Sequence, residues 1–137
     1  MGAGFELDAR LTADTFPVGD LPLCRVLLMR DRRYAWLVLV PRRPGMVEVA
    51  DLTAEDRAEL WREVDRAGAA LRSVAPCDKL NIGALGNIVR QLHVHVLPRV
   101  EGDAAWPGPV WGHSPAEAYG EGEAPRLVEA LKAQLCL

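Results

Sequence analysis

Cysteine is scarce in this 137-residue chain, and what there is has no partner spacing. Cys24, Cys77 and Cys136 are odd in number, widely scattered and form no CxxC pair. That excludes a disulfide framework and a zinc ribbon as readings, and a reducing cytoplasm is the compartment expected for such thiols. An excess of basic charge is also missing. Sixteen Lys and Arg stand against nineteen Asp and Glu, a net charge of −3, so no global field recruits a nucleic-acid polymer. Local arginines can still meet a small anion. No apolar run approaches the ~18 residues of a membrane span, so no membrane partner is expected. The stretch 1–10 carries acidic residues and no apolar core, unlike a signal peptide. Internal repeats and low-complexity tracts are lacking as well. What is present is 50% hydrophobic and 26% charged, the balance of one soluble globular domain over residues 1–137.

Two apolar runs, 24–29 and 34–40, read as strands joined by the polar hairpin connection Arg30-Asp31-Arg32-Arg33. Pro41 ends the second run because it has no N–H for the ladder. The preceding stretch 11–22, with Pro17, Gly19 and Pro22, reads as a turn-rich surface wrap. Thr53 caps the main helix, with Glu55 and Asp56 at the positive end of its dipole. Leu60, Trp61, Val64, Ala67, Gly68 and Leu71 form its buried stripe, and Arg57, Glu59, Arg62, Glu63, Asp65, Arg66 and Arg72 its solvated face. Residues 79–84 are a third strand leading into a glycine-containing turn. Ser114-Pro115-Ala116-Glu117 has the form of a helix start, and an amphipathic helix after Pro125 turns Leu127, Val128, Leu131 and Leu135 inward. The expected fold is α+β: an antiparallel sheet, one long helix and shorter C-terminal helices. The core spans about 20–105, and a loop with the helices spans 106–137.

The most informative segment is Gln91-Leu92-His93-Val94-His95-Val96-Leu97-Pro98-Arg99. Its strict polar–apolar alternation is the period-2 signature of a half-buried strand, with Gln91, His93 and His95 on one face. Three readings compete: polar side chains on a solvent face, two ligands of a metal site, or a nucleophile for phosphorus. A metal site needs a third ligand, and the only other histidine is His113, with Glu101 and Asp103 as the nearest acids. A neutral imidazole attacks phosphoryl groups, and the other parts needed are donors for phosphate oxygens. Gln91, His95, Asn81 and the backbone N–H groups of Gly86 and Asn87 can supply them.

Asn81-Ile82-Gly83, then Gly86-Asn87-Ile88-Val89, then the His segment resemble the signature of the histidine-triad (HIT) hydrolases and nucleotidyl transferases. Upstream, Trp36-Leu37-Val38-Leu39-Val40-Pro41-Arg42-Arg43 resembles the strand that precedes the long helix in that family. The likeness covers about residues 24–100. It implies a HIT-like fold and a hydrolase or nucleotidyl transferase acting on the α-phosphate of a substituted nucleoside monophosphate, at a phosphoramidate or phosphoanhydride bond, with a nucleotide as small-molecule partner and a homodimer as the assembly. Under the same resemblance His93 is the residue that becomes nucleotidylated, and His95 is a neighbour of the phosphate and leaving group. Asn81 contacts phosphate near the nucleophile, and a backbone carbonyl of the outer triad positions fixes the nucleophile's tautomer. Asp31 is the nearest acid to where the family binds ribose. No cofactor is required, although a divalent cation can accompany a polyphosphate substrate.

The departures are specific. Gln91 stands where the first triad histidine would be, and a carboxamide cannot titrate near neutrality. The glycine turn is one residue shorter than usual, Asn87 replaces a Gln or Ser, and Pro44 replaces a histidine after the upstream strand. A nucleotide-binding or sensing protein with weak turnover, motivated by Gln91, and a His-x-His metalloprotein remain the alternatives. The loop Trp106-Pro107-Gly108-Pro109-Val110-Trp111-Gly112 either walls the pocket, meets a second subunit or fills core.

Overall fold

The computed structural model describes residues 4–137. Along the chain come α1 (Ala9–Asp14), β1 (Thr15–Asp20), β2 (Cys24–Met29), β3 (Leu37–Pro41), a 3-10 turn at Val49–Asp51, α2 (Ala54–Val74), β4 (Lys79–Gly83), β5 (Val94–Arg99) and α3 (Glu123–Leu135). The five strands form one antiparallel sheet in the order β1-β2-β3-β5-β4. The α+β expectation therefore holds, with one long helix and a C-terminal helix.

Both faces of the sheet are covered, which explains why β3 is apolar at every position. Leu37 and Leu39 of β3 and Val94 and Val96 of β5 face α2 and α3, packing with Leu60, Val64, Leu71, Leu131 and Leu135. Val38 and Val40 of β3 and Leu97 of β5 face the other way, into a second core with Leu11 of α1, Leu27, Tyr34, Trp36 and Val110. His95 shares the parity of Leu97, so it enters this second layer.

Four expectations fail for identifiable reasons. The stretch 11–22 is not a wrap: α1 ends in it and β1 is an edge strand paired to β2, with a bulge between Pro17 and Gly19. An edge strand tolerates the missing N–H of Pro17, so turn residues there were misleading. Ser114–Glu117 starts no helix, because the hydrogen-bonding groups that would begin one are used elsewhere. Arg33 donates to the Ser114 Oγ and carbonyl, and Arg32 N donates to the Glu117 carbonyl. The final helix opens before Pro125, whose ring fits a first turn. On α2, capped by Thr53 Oγ1 accepting from Asp56 N, Trp61 is exposed while Glu63 is fully buried, the reverse of the stripe assignment.

Glu63 acts as a clamp between helix and sheet. Its carboxylate accepts from the backbone N–H groups of Leu23 (2.8 Å) and Cys24 (2.7 Å), where β2 begins. Burial, and a hydrogen bond with Glu59, push this carboxyl above its ordinary range. Glu63→Gln turns an NH₂ toward one of those N–H groups and leaves it unmet. The expected loss is about 1–3 kcal/mol of stability, read by urea unfolding.

Candidate active site

His93 comes first in the site, and its position was expected inside the strand. β5 starts one residue later, at Val94, so Gln91, Leu92 and His93 lie outside the ladder. The pairing of β3 with β5 ends at Leu39 and Val94. Beyond it Leu92 N donates to the Met46 carbonyl, which keeps the segment extended without a neighbouring strand. The alternation in sequence survives this, because Leu92 still packs in the helix-side core and His93 is still buried.

The two imidazoles are polarised in opposite senses. His93 Nδ1 lies 2.6 Å from the Gln91 carbonyl, and a carbonyl oxygen can only accept. The proton of His93 is therefore on Nδ1, and Nε2 carries a free lone pair. His95 Nδ1 receives the indole N–H of Trp36 at 2.9 Å, and an indole nitrogen can only donate. The proton of His95 is therefore on Nε2. The rings lie 4.9 Å apart between centroids at 67°. Trp36 and Trp111 pack on His95 at 5.6 and 5.4 Å, and the ring is largely buried. Burial, helped by His93, pushes the His95 imidazole down to about 3.

Both histidines line one open hollow of about 310 Å³, whose walls are the Gly86–Val89 turn and Trp111. Gly86 sits at φ +73°, a backbone shape that side-chain-bearing residues avoid. Gly83 lies under the Trp111 ring, where a Cβ would come within 3.2 Å of it. This arrangement presents a lone pair, an N–H donor and a turn with exposed backbone to one volume, enough for nucleophilic attack on a phosphoryl group.

The residues named from sequence divide cleanly. His93, His95, Gly86 and Asn87 line the hollow together. Gln91 contributes its backbone carbonyl, but its side chain points elsewhere: Oε1 accepts from Asp8 N and Nε2 donates to the Glu6 carbonyl, both at 2.8 Å. It ties down the N-terminal segment. Asn81 does not reach the hollow either. Its Oδ1 accepts from Arg99 Nη1, and Arg99, almost fully buried, is held bidentately by Asp103 at 2.8 Å. Arg99 is thus the centre of a buried network, and its guanidinium holds the Asp103 carboxyl down at about 2. Asp31 is buried and its carboxylate is occupied by the backbone and side chain of Arg33 and by Glu117 N. Burial works to raise its carboxyl, but those hydrogen bonds outweigh it and hold it below the usual range. A ribose would have to displace Arg33 to reach it. His113 is exposed beside Ser114 Oγ, and among the described residues no three His, Cys, Asp or Glu side chains gather as a metal site.

Sequence reading missed Trp36. Its only signal was an indole N–H in an apolar run, one residue ahead of β3. Of the two loop tryptophans, Trp111 walls the hollow while Trp106 lies over the Arg99 guanidinium.

The His95 environment has a measurable consequence for stability. The folded ring stays neutral down to about 3, whereas the unfolded ring takes a proton near 6.5. Its contribution is therefore complete above pH 6.5 and is lost as pH falls from there toward 3, by up to about 1.4 kcal/mol per pH unit. Urea unfolding of wild type and His95→Asn between pH 7.5 and 4.5 should show a steeper acid loss in wild type.

The HIT domain family matches residues 10–102. The chain is 35% identical over 86 residues to the AP-4-A phosphorylase of Mycobacterium tuberculosis, a match covering 52% of this chain and 44% of that protein. The chain therefore spans less than half the length of that relative. A histidine triad protein from Bradyrhizobium japonicum is 48% identical with a TM-score of 0.94, covering 96% of this chain and 98% of that one. Another from Sinorhizobium meliloti 1021 has the same identity and TM-score, covering 98% and 99%.

Proposed function

This chain belongs to the HIT domain family, and on that premise we propose that it is a nucleotide phosphohydrolase or nucleotidyl transferase working through His93. It is a variant of the triad in which Gln91 occupies the first position and serves through its carbonyl alone. The observation that carries the reading is the opposite polarisation of the two imidazoles at one hollow.

In the first step the His93 Nε2 lone pair attacks the α-phosphorus of a substituted nucleoside monophosphate. The N–P bond forms, the bond to the leaving group breaks, and its electron pair departs with that group. The imidazolium so formed keeps its Nδ1 proton against the Gln91 carbonyl, which stabilises the positive charge. His95 Nε2–H and the backbone N–H groups of the Gly86–Asn87 turn face the phosphoryl oxygens. Water, or an acceptor nucleophile in the transferase case, then attacks phosphorus. The N–P bond breaks, its pair returns to Nε2, and the attacking group's proton passes to solvent. The scheme needs no cofactor, and a divalent cation accompanies a polyphosphate substrate as its counter-ion. The similarity to an AP-4-A phosphorylase supports a phosphoanhydride-linked nucleotide as substrate. A nucleotide-sensing role with weak turnover, motivated by the non-titrating Gln91, is the alternative, and tight AMP binding without turnover is the outcome that favours it.

The test is direct. Incubation with diadenosine tetraphosphate should release nucleoside phosphates, and His93→Ala should lower kcat by at least ~10³-fold without unfolding the protein. Mass spectrometry of an acid-quenched reaction should find one nucleotidyl unit on the peptide containing residue 93. Turnover that survives in the His93→Ala variant refutes the mechanism.

We also propose that a second copy is the partner. Among the described residues β4 is a sheet edge with no strand beyond it, and Ile82, Leu85 and Ile88 are exposed on it and on the following turn. Unpaired edges with exposed apolar residues favour association. Sedimentation should show a dimer in wild type and a shift toward monomer in Ile82→Lys.

A further inference from the structure

The hydrogen bond from Trp36 to His95 has a chemical consequence for the substrate. We infer that Trp36 is a positioning residue that locks His95 as a neutral Nε2–H donor, so that the site favours nucleotides whose leaving group departs as a stable anion, a phosphoanhydride over a phosphoramidate. The inference rests on the phosphoryl-transfer reading above and narrows it.

An indole nitrogen has one N–H and no lone pair to offer, so the atom facing it must accept. His95 Nδ1 is that atom, at 2.9 Å. Protonating Nδ1 would set two N–H groups against each other inside a water-poor layer. The surroundings of His95 offer nothing to compensate a cation. Val38 of β3 and Gly83 of β4 are its cross-strand neighbours, Trp36 and Trp111 pack on its ring, and the nearest titratable group is His93. His95 therefore stays uncharged.

A neutral imidazole with its proton on Nε2 can donate a hydrogen bond but cannot give the proton away. Releasing it would leave an imidazolate, since Nδ1 cannot take a proton from anywhere while it holds the indole. Charge developing on a phosphoryl oxygen is met by this donor. A leaving amine, however, must gain a proton as the P–N bond breaks, and His95 has none to deliver. A leaving phosphate or nucleotide carries its electron pair away on oxygen and needs no proton at that moment. In a phosphoramidate the proton has to come from water, without the 10²–10⁴-fold gain that a positioned general acid contributes.

Two readouts test this. With ¹⁵N-labelled histidine, NMR of the wild-type protein should show His95 protonated on Nε2, bare at Nδ1 and unchanged between pH 5 and 8. A protonated Nδ1, or a titration in that window, overturns the lock. For selectivity, kcat/KM for diadenosine tetraphosphate should exceed that for an adenosine phosphoramidate of a primary amine by about 10²-fold. In Trp36→Phe the Nδ1 lone pair is freed, so the ring can take a proton on Nδ1 as it gives up the one on Nε2, without resting as a cation. The ratio should then fall by about tenfold, with phosphoramidate turnover rising toward lower pH and KM for both substrates little changed. A ratio near one in wild type, or an unchanged ratio in the variant, overturns the selectivity. Because Trp36 is core, the isostere β-(3-benzothienyl)alanine at position 36 serves as the second variant, keeping the shape and removing only the N–H. If neither substrate is turned over by wild type, the functional reading fails and the selectivity with it. The NMR signature still decides the hydrogen bond on its own.

Discussion

Two hydrogen bonds to two Nδ1 atoms organise this molecule. At His93 a carbonyl accepts, and at His95 an indole donates. Each partner has only one way to bond, so each imidazole has only one tautomer available, and the two tautomers are opposite. One ring then offers a lone pair and the other an N–H to the same hollow. Neither arrangement depends on pH-sensitive partners. The carbonyl belongs to the main chain, and the indole is buried just ahead of β3.

Much of the second core exists to keep these partners in place. Trp36 is wedged among Tyr34, Val38 and Leu97, with Trp111 meeting it edge-on at 6.3 Å. Arg99, two register positions along β5 from Leu97, is neutralised by Asp103 and orients Asn81, while Asp31 and Arg33 fasten the chain around Ser114–Glu117. These buried ion pairs add little net stability, because desolvating each charge offsets much of the attraction. What they fix is the path of the 100–120 loop that carries Trp111 to the hollow. Polar residues that resemble substrate contacts in sequence thus serve as the supports of residues that line it.

On the opposite face, Glu63 shows the same economy. A carboxylate buried in a helix is costly unless every lone pair it commits is met. Here it satisfies two backbone N–H groups at the start of β2. Helix α2 is thereby set against the sheet at a fixed depth, and β5 is held between two layers.

The sequence by itself determined the alternation around His93 and His95, the two apolar runs that pair as β2 and β3, the Thr53 cap and the glycine turn, although β3 starts at Leu37 rather than at Tyr34. These signals are local: period, capping and turn chemistry act over a few residues, so they are legible without a fold. Tertiary structure decided the rest. The parity of β3 against β5 put Trp36 on His95, since Val38 pairs with His95 and the indole lies two residues along the same face. Long-range partners redirected Gln91 to the N-terminal segment, Asn81 to Arg99 and Asp31 to Arg33. A side chain's chemistry follows from its type, but which atom it meets depends on register and packing between segments far apart in the chain, and only folding supplies those.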